Sequence, residues 1–157
     1  MKNATGVSPW RLHFSFHMWG AMLYVLGTAM RALGIDFGTK KVGIALSDPE
    51  GRFALPHSVI PNDKKLVEHL TVLIQREGVG TIILGESKDF MMRPNPLMRK
   101  INRFKSELEK RLGLPVLFES EVFTSAEARR GGVTEELIDA SAAALILEKH
   151  LARTRKP

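Results

Sequence analysis

The residues from Met30 to Asp48 run M-R-A-L-G-I-D-F-G-T-K-K-V-G-I-A-L-S-D. Two apolar runs, Ala32–Ile35 and Val42–Leu46, flank a polar, glycine-bearing tip. This pattern predicts a β-hairpin. Asp36 then stands at the end of a buried strand, just where the chain turns. A carboxylate in that position is costly unless something pairs with it. Gly34, Gly38 and Gly43 carry no side chain, so backbone or ligand can approach closely. Asp36 is therefore the first candidate functional residue.

The pattern continues downstream. Asp48-Pro49-Glu50-Gly51 is a turn, with Pro and Gly suitably placed. It leads to a third strand over Arg52–Ile60, and Pro56 within it predicts an edge position or a bulge. The period then becomes helical at Leu66, Leu70, Leu73 and Ile74, with Asn62 or Asp63 as cap and Gly78 as stop. Val79–Leu84 reads as a buried parallel strand. Gly85 to Pro96 reads as a loop. A second helix begins with Pro96 in its first position and carries the stripe Leu97, Ile101, Phe104, Leu108 and Leu112, closed by Gly113. Leu114–Glu119 is the fifth strand. Thr124-Ser125-Ala126-Glu127 is a capping box for a short helix, stopped at Gly131-Gly132. The last helix spans about Thr134 to Ala152. The expected architecture is α/β: a mixed five-stranded sheet with helices on its faces.

The bulk properties bound the function. At 157 residues the chain suits one domain with a full core. With no cysteine it has neither disulfides nor thiolate metal sites, which accords with a cytoplasmic location. A net charge of +6 suits a polyanionic partner such as nucleic acid. Residues 1–29 differ in character, with Lys2 and Arg11 and no acid. Phe14 to Met30 is mostly apolar, and Gly27-Thr28-Ala29 resembles a cleavage site. This segment reads either as a signal peptide, short for a membrane span, or as a leader before a true start at Met30. The second reading is adopted: a leader over 1–29 outside the fold, and a domain over 30–157 with no membrane association.

Ligands of open α/β sheets gather at the carboxyl ends of the parallel strands. Asp36, Glu86, Glu119 and Glu121 belong there by position. Asp139 lies early in the last helix, one turn before Ala142 and Ala143, on a face small enough to press against the sheet. Glu119, with Glu127, Glu135 and Glu136, reads as a solvated carboxylate or a cap. Asp36, Glu121 and Asp139 brought together would repel one another. A divalent cation relieves that repulsion, and hard oxygen ligands without Cys or a His pair indicate Mg²⁺ or Mn²⁺. Two such ions can activate water and stabilise the leaving oxygen of a phosphodiester.

The stretch Leu33-Gly34-Ile35-Asp36-Phe37-Gly38-Thr39-Lys40-Lys41-Val42-Gly43-Ile44-Ala45 closely resembles the opening motif of the YqgF family. That family comprises RNase H-like proteins described as Holliday junction resolvases or as nucleases that mature the 5′ end of pre-16S rRNA. Ser47-Asp48, Gly51 and Ala54-x-Pro56 also match. Ile138-Asp139-x-x-Ala142-Ala143-x-x-Ile146-Leu147 looks like the family's final helix. The resemblance implies an RNase H-like fold and a Mg²⁺-dependent site of three acids, falling on Asp36, Glu121 and Asp139. Its middle motif departs from the family pattern: Ser120-Glu121-Val122 keeps only the Glu. Gly85-Glu86-Ser87 replaces the usual Gly-x-Pro, and the basic run is shortened to Arg129-Arg130-Gly131-Gly132.

Gly38, Thr39, Lys40, Lys41, Arg129 and Arg130 are the candidate substrate-binding residues, and Arg93, Arg99, Lys100 and Arg103 are further basic candidates. Phosphate contacts position a substrate without reading its sequence. The expected substrate is structured nucleic acid, pre-rRNA or branched DNA, bound by a monomer or a homodimer. Two other readings compete with the nuclease. Asp-x-Gly-Thr also resembles the phosphate loop of actin-like ATPases, which need two such domains. The altered loops also suit a module that binds nucleic acid without cutting it.

Overall fold

The computed structural model describes residues 30–86, 96–120 and 135–155, the side chains of 135–138 excepted. The leader, Arg93, the capping box at Thr124, Glu121, Arg129 and Arg130 lie outside the described residues. In chain order the elements are β1 (Arg31–Phe37), β2 (Lys41–Ser47), β3 (Ala54–Pro61), α1 (Leu66–Glu77), β4 (Val79–Glu86), α2 (Pro96–Leu112), β5 (Val116–Ser120) and α3 (Glu135–Thr154). The strands form one sheet ordered β3-β2-β1-β4-β5. β1–β2 and β2–β3 are antiparallel, whereas β4 pairs in parallel with both β1 and β5. The expected meander followed by parallel crossovers is what the chain builds.

Alternation along the strands separates two cores. Leu33, Ile35, Phe37, Val42, Ile44, Ile82 and Leu84 face α1 and α2. Phe104 of α2 meets Phe37 with ring centroids 4.8 Å apart. On the other face, Ala45 and Ile83 pack against Ala143, Ile146 and Leu147 of α3. This second core is thin because its residues are small. A Cβ added to Gly34 would stand 2.7 Å from the Ala143 carbonyl oxygen, and one on Gly43 would collide with that of Asp139. Two glycines in adjacent strands thus let the α3 backbone rest on the sheet.

Several boundaries move for identifiable reasons. The third strand begins at Ala54 rather than Arg52, because Asp48 Oδ1 accepts the Arg52 and Phe53 N–H groups. It is an edge strand, and its register shifts where Pro56 pairs with Ala45. β4 continues to Glu86 because its parallel partner runs on to Ser120. β5 starts at Val116, after Pro115, whose carbonyl accepts from Ile82 N–H. The cap expected from Asn62 or Asp63 is not formed: Lys65 occupies the N-cap of α1 without a side-chain bond. Asp63 Oδ1 instead accepts from Lys65 N–H at 2.8 Å, and Asn62 is engaged elsewhere. Gly78 does close α1, at φ 66°, its N–H donating to the Ile74 carbonyl.

Candidate active site at the carboxyl rim of the sheet

The β1–β2 tip is short and tightly held. Gly38 N–H donates to the Lys41 carbonyl at 3.0 Å, and a Cβ on Gly38 would lie 2.5 Å from that oxygen. Asn62 then fastens the tip from outside. Its Nδ2 donates to the Gly38 carbonyl at 2.6 Å, and its backbone N–H donates to the Lys40 carbonyl at 2.9 Å. Thr39, Lys40 and Lys41 are left exposed on a fixed loop.

Asp36 is the Cα partner of Gly43. Paired residues of an antiparallel ladder project to the same face, so Asp36 points to the face where Asp139 lies over Gly43. Both carboxylates are half-buried. With Gly38, Thr39, Lys40, Lys41 and Gly43 they line one open pocket of about 450 Å³. The fold therefore brings together Asp36, Asp139 and the hairpin-tip residues singled out from the sequence. The side chains there that could hold a cation are the two carboxylates, hard oxygen donors suited to a divalent ion. Among the described residues no three His, Asp or Glu side chains gather within reach of one metal ion. Glu86 closes β4, but alternation sets it with Ile82 and Leu84, on the face opposite Asp36.

Glu119 is not the solvated carboxylate expected. It is 6% exposed. Arg153 Nη2 donates to its Oε2 at 3.0 Å, His150 Nδ1 lies 3.5 Å away, and Lys149 Nζ is 3.7 Å from Oε1. Lys149 also donates to the Ser120 carbonyl at 2.7 Å. The C-terminal half of α3 is thus latched to the end of β5. The basic residues Lys149, His150 and Arg153, at i, i+1 and i+4, are visible in the sequence, but the acid they meet is not. A second contact that sequence reasoning missed lies at the opposite end of the sheet, where Ser47 Oγ accepts from Ala32 N–H at 2.9 Å and donates to the Asp48 carbonyl at 2.8 Å.

A mixed sheet in this order, covered on both faces, with acids at the rim beside its first hairpin, defines an RNase H-like nuclease domain. Solved structures share the fold. RuvC of Thermus thermophilus in complex with a Holliday junction superposes with a TM-score of 0.54 at 16% identity, over 80% of this chain and 96% of that one. The fowlpox virus resolvase, also solved with Holliday junction DNA, gives 0.50 at 13% identity, over 81% and 100%. The chain belongs to the family described as RuvX, Holliday junction resolvase, whose model matches residues 30–153; this bears out the YqgF resemblance. Among its relatives, a protein of Maridesulfovibrio salexigens with the provisional name pre-16S rRNA nuclease is 34% identical, over 79% of this chain and 99% of its own length. One of Limosilactobacillus fermentum with the same name is 33% identical, over 78% and 93%.

Proposed function

We propose that this nuclease hydrolyses phosphodiester bonds in structured nucleic acid, precursor rRNA or branched DNA, with Asp36, Glu121 and Asp139 as its acids. The observation that carries the reading is the shared pocket of Asp36 and Asp139, two acids far apart in the chain, beside a rigid basic tip. The names of the relatives support the rRNA substrate, and the family description supports the junction. Asp36 and Asp139, joined by Glu121, would hold Mg²⁺ or Mn²⁺. Such an ion, when bound, supplies Lewis-acid stabilisation and an activated water. The chain's own contribution is positional. Gly38 lets the tip turn tightly and Gly43 lets α3 bring Asp139 to the rim, while Lys40 and Lys41, with Arg129 and Arg130, offset the charge of a phosphate. Asn62 keeps the tip from yielding when the substrate arrives.

Cleavage on this reading leaves a 5′-phosphate and a 3′-hydroxyl. The active body is residues 30–157, acting in the cytoplasm as a monomer or a homodimer, with 1–29 as a leader. Among the described residues no helix is long and apolar enough to cross a membrane.

The test is a cleavage panel of four-way DNA junctions and precursor rRNA, with Mg²⁺, Mn²⁺ or chelator. Asp36→Asn is expected to lower the rate at least 100-fold, as loss of a principal electrostatic group does, with an unchanged circular dichroism spectrum. Full activity in that variant rejects the assignment. Binding without cleavage by the unaltered chain under every metal would make it a silent binding module.

A further inference from the structure

On the other side of the hairpin tip lies a second depression, of about 430 Å³, lined in part by Phe37, Asn62, Lys64, Lys100, Arg103 and Phe104. It adjoins the first pocket through the tip: Phe37 lines one and Gly38 the other, and Asn62 lines one while bonding to Gly38. Lys100 and Arg103 stand one turn apart on α2, both exposed. Farther along that helix Lys105 is matched with Glu109 and Arg111 with Glu107. Among the described residues, no carboxylate pairs with Lys100 or Arg103. The two acids at the edge of the depression are engaged: Glu107 by Arg111 at 3.3 Å, and Asp63 Oδ1 by the Lys65 N–H. Lys64, Lys100 and Arg103 outnumber the two acids, one of which is already paired, so the surface keeps an excess of positive charge.

We propose that this α2 surface holds the phosphate backbone of the substrate where it continues past the hairpin tip from the cleavage site. The inference rests on the nuclease reading above and adds the direction in which the substrate runs. The recognition is of phosphate and independent of sequence, because the groups offered are ammonium and guanidinium rather than a base-reading array. Lys64 adds a third cation at the same edge.

Binding in chelator separates this surface from catalysis. Anisotropy titrations of the full chain against a labelled DNA duplex, a four-way junction and a structured RNA are made from 50 to 200 mM KCl. The Lys100→Ala/Arg103→Ala variant is expected to bind about tenfold more weakly at 50 mM. Its slope of log K against log salt should be shallower by about 1.8 on the duplex, two phosphates' worth. Arg52→Ala/Arg76→Ala, with the same charge loss at the far end of the sheet, should keep the unaltered slope. With Mg²⁺, the α2 variant should show a raised KM and an unchanged kcat. Equal slopes in the α2 variant and the unaltered chain, or equal loss in both variants, would overturn the proposal. If thermal melting shows that the alanine pair has unfolded, Lys100→Gln/Arg103→Gln takes its place with the same two outcomes. A chain that never cuts defeats the nuclease reading, while the binding slopes still decide what α2 holds.

Discussion

Asp48 and Asn62 are both turn-forming residues, and they do different things. Asp48 is used locally. The Phe53 N–H, then the Arg52 N–H, together with the Glu50 side chain and the Arg52 guanidinium, hold its carboxyl below the ordinary carboxylate range, against the opposing effect of burial. Because the folded-state value is depressed, its stabilisation is complete above the unfolded carboxylate value. It drains away as pH falls through the folded one. Urea midpoints of Asp48→Asn and the unaltered chain should therefore differ at pH 7, and the gap should close only as pH falls below the ordinary carboxylate range. A gap that does not close would place the stabilisation elsewhere. Asn62 is used at a distance, on a hairpin tip that its sequence neighbours do not reveal. Its position before a helix suggests a cap, and only the approach of β3's end to the β1–β2 tip gives it another partner.

Among the elements, α3 governs the site because it carries Asp139, and two glycines of the sheet set its height. Gly43→Ala would force the Asp139 backbone off β2, since the added Cβ meets main chain rather than a flexible side chain. Overpacking of this kind costs about 1–3 kcal/mol. A urea midpoint lowered to that extent, with cleavage reduced beyond the loss of folded protein, is expected. A purely structural effect would lower stability alone. The other end of α3 is held through Glu119. A buried carboxylate left alone would be strongly unfavourable, so Lys149, His150 and Arg153 together keep β5 and α3 in one relation. The structure sets Ala143 over Gly34 and Asp139 over Gly43, and the small residues of α3 and the glycines of the sheet are legible as composition. The latch is not, because β5 read alone gives Glu119 no reason to be buried.

For the whole molecule, the charge of +6 becomes informative once its placement is known. Lys40 and Lys41 stand at one side of the hairpin tip and Lys100 and Arg103 at the other. Contacts from these four alone imply a salt slope at least as steep as about −3.6 on duplex DNA, or about a 100-fold or greater loss of affinity between 50 and 200 mM salt. Little dependence on sequence should accompany it. An affinity insensitive to salt, read by anisotropy with two unrelated duplexes, would contradict an electrostatic backbone grip.

Alternating and helical periods, with Gly and Pro at the turns, were enough to determine the order of elements among the described residues, the meander, the edge strand at Pro56 and the two parallel crossovers. These are local consequences of side-chain periodicity and backbone conformation. Position singled out Asp36 at a strand end and Asp139 early in the last helix, and the resemblance of the first hairpin and the final helix to a known family implied their role. Which groups meet was decided by the tertiary structure: Asp139 over Gly43 beside Asp36, Asn62 on the Gly38 carbonyl, Glu119 beneath Arg153, Glu86 on the opposite face. Each of these depends on strand register and on how closely a helix can approach the sheet. Both are set by packing between residues distant in the chain, which no local period records.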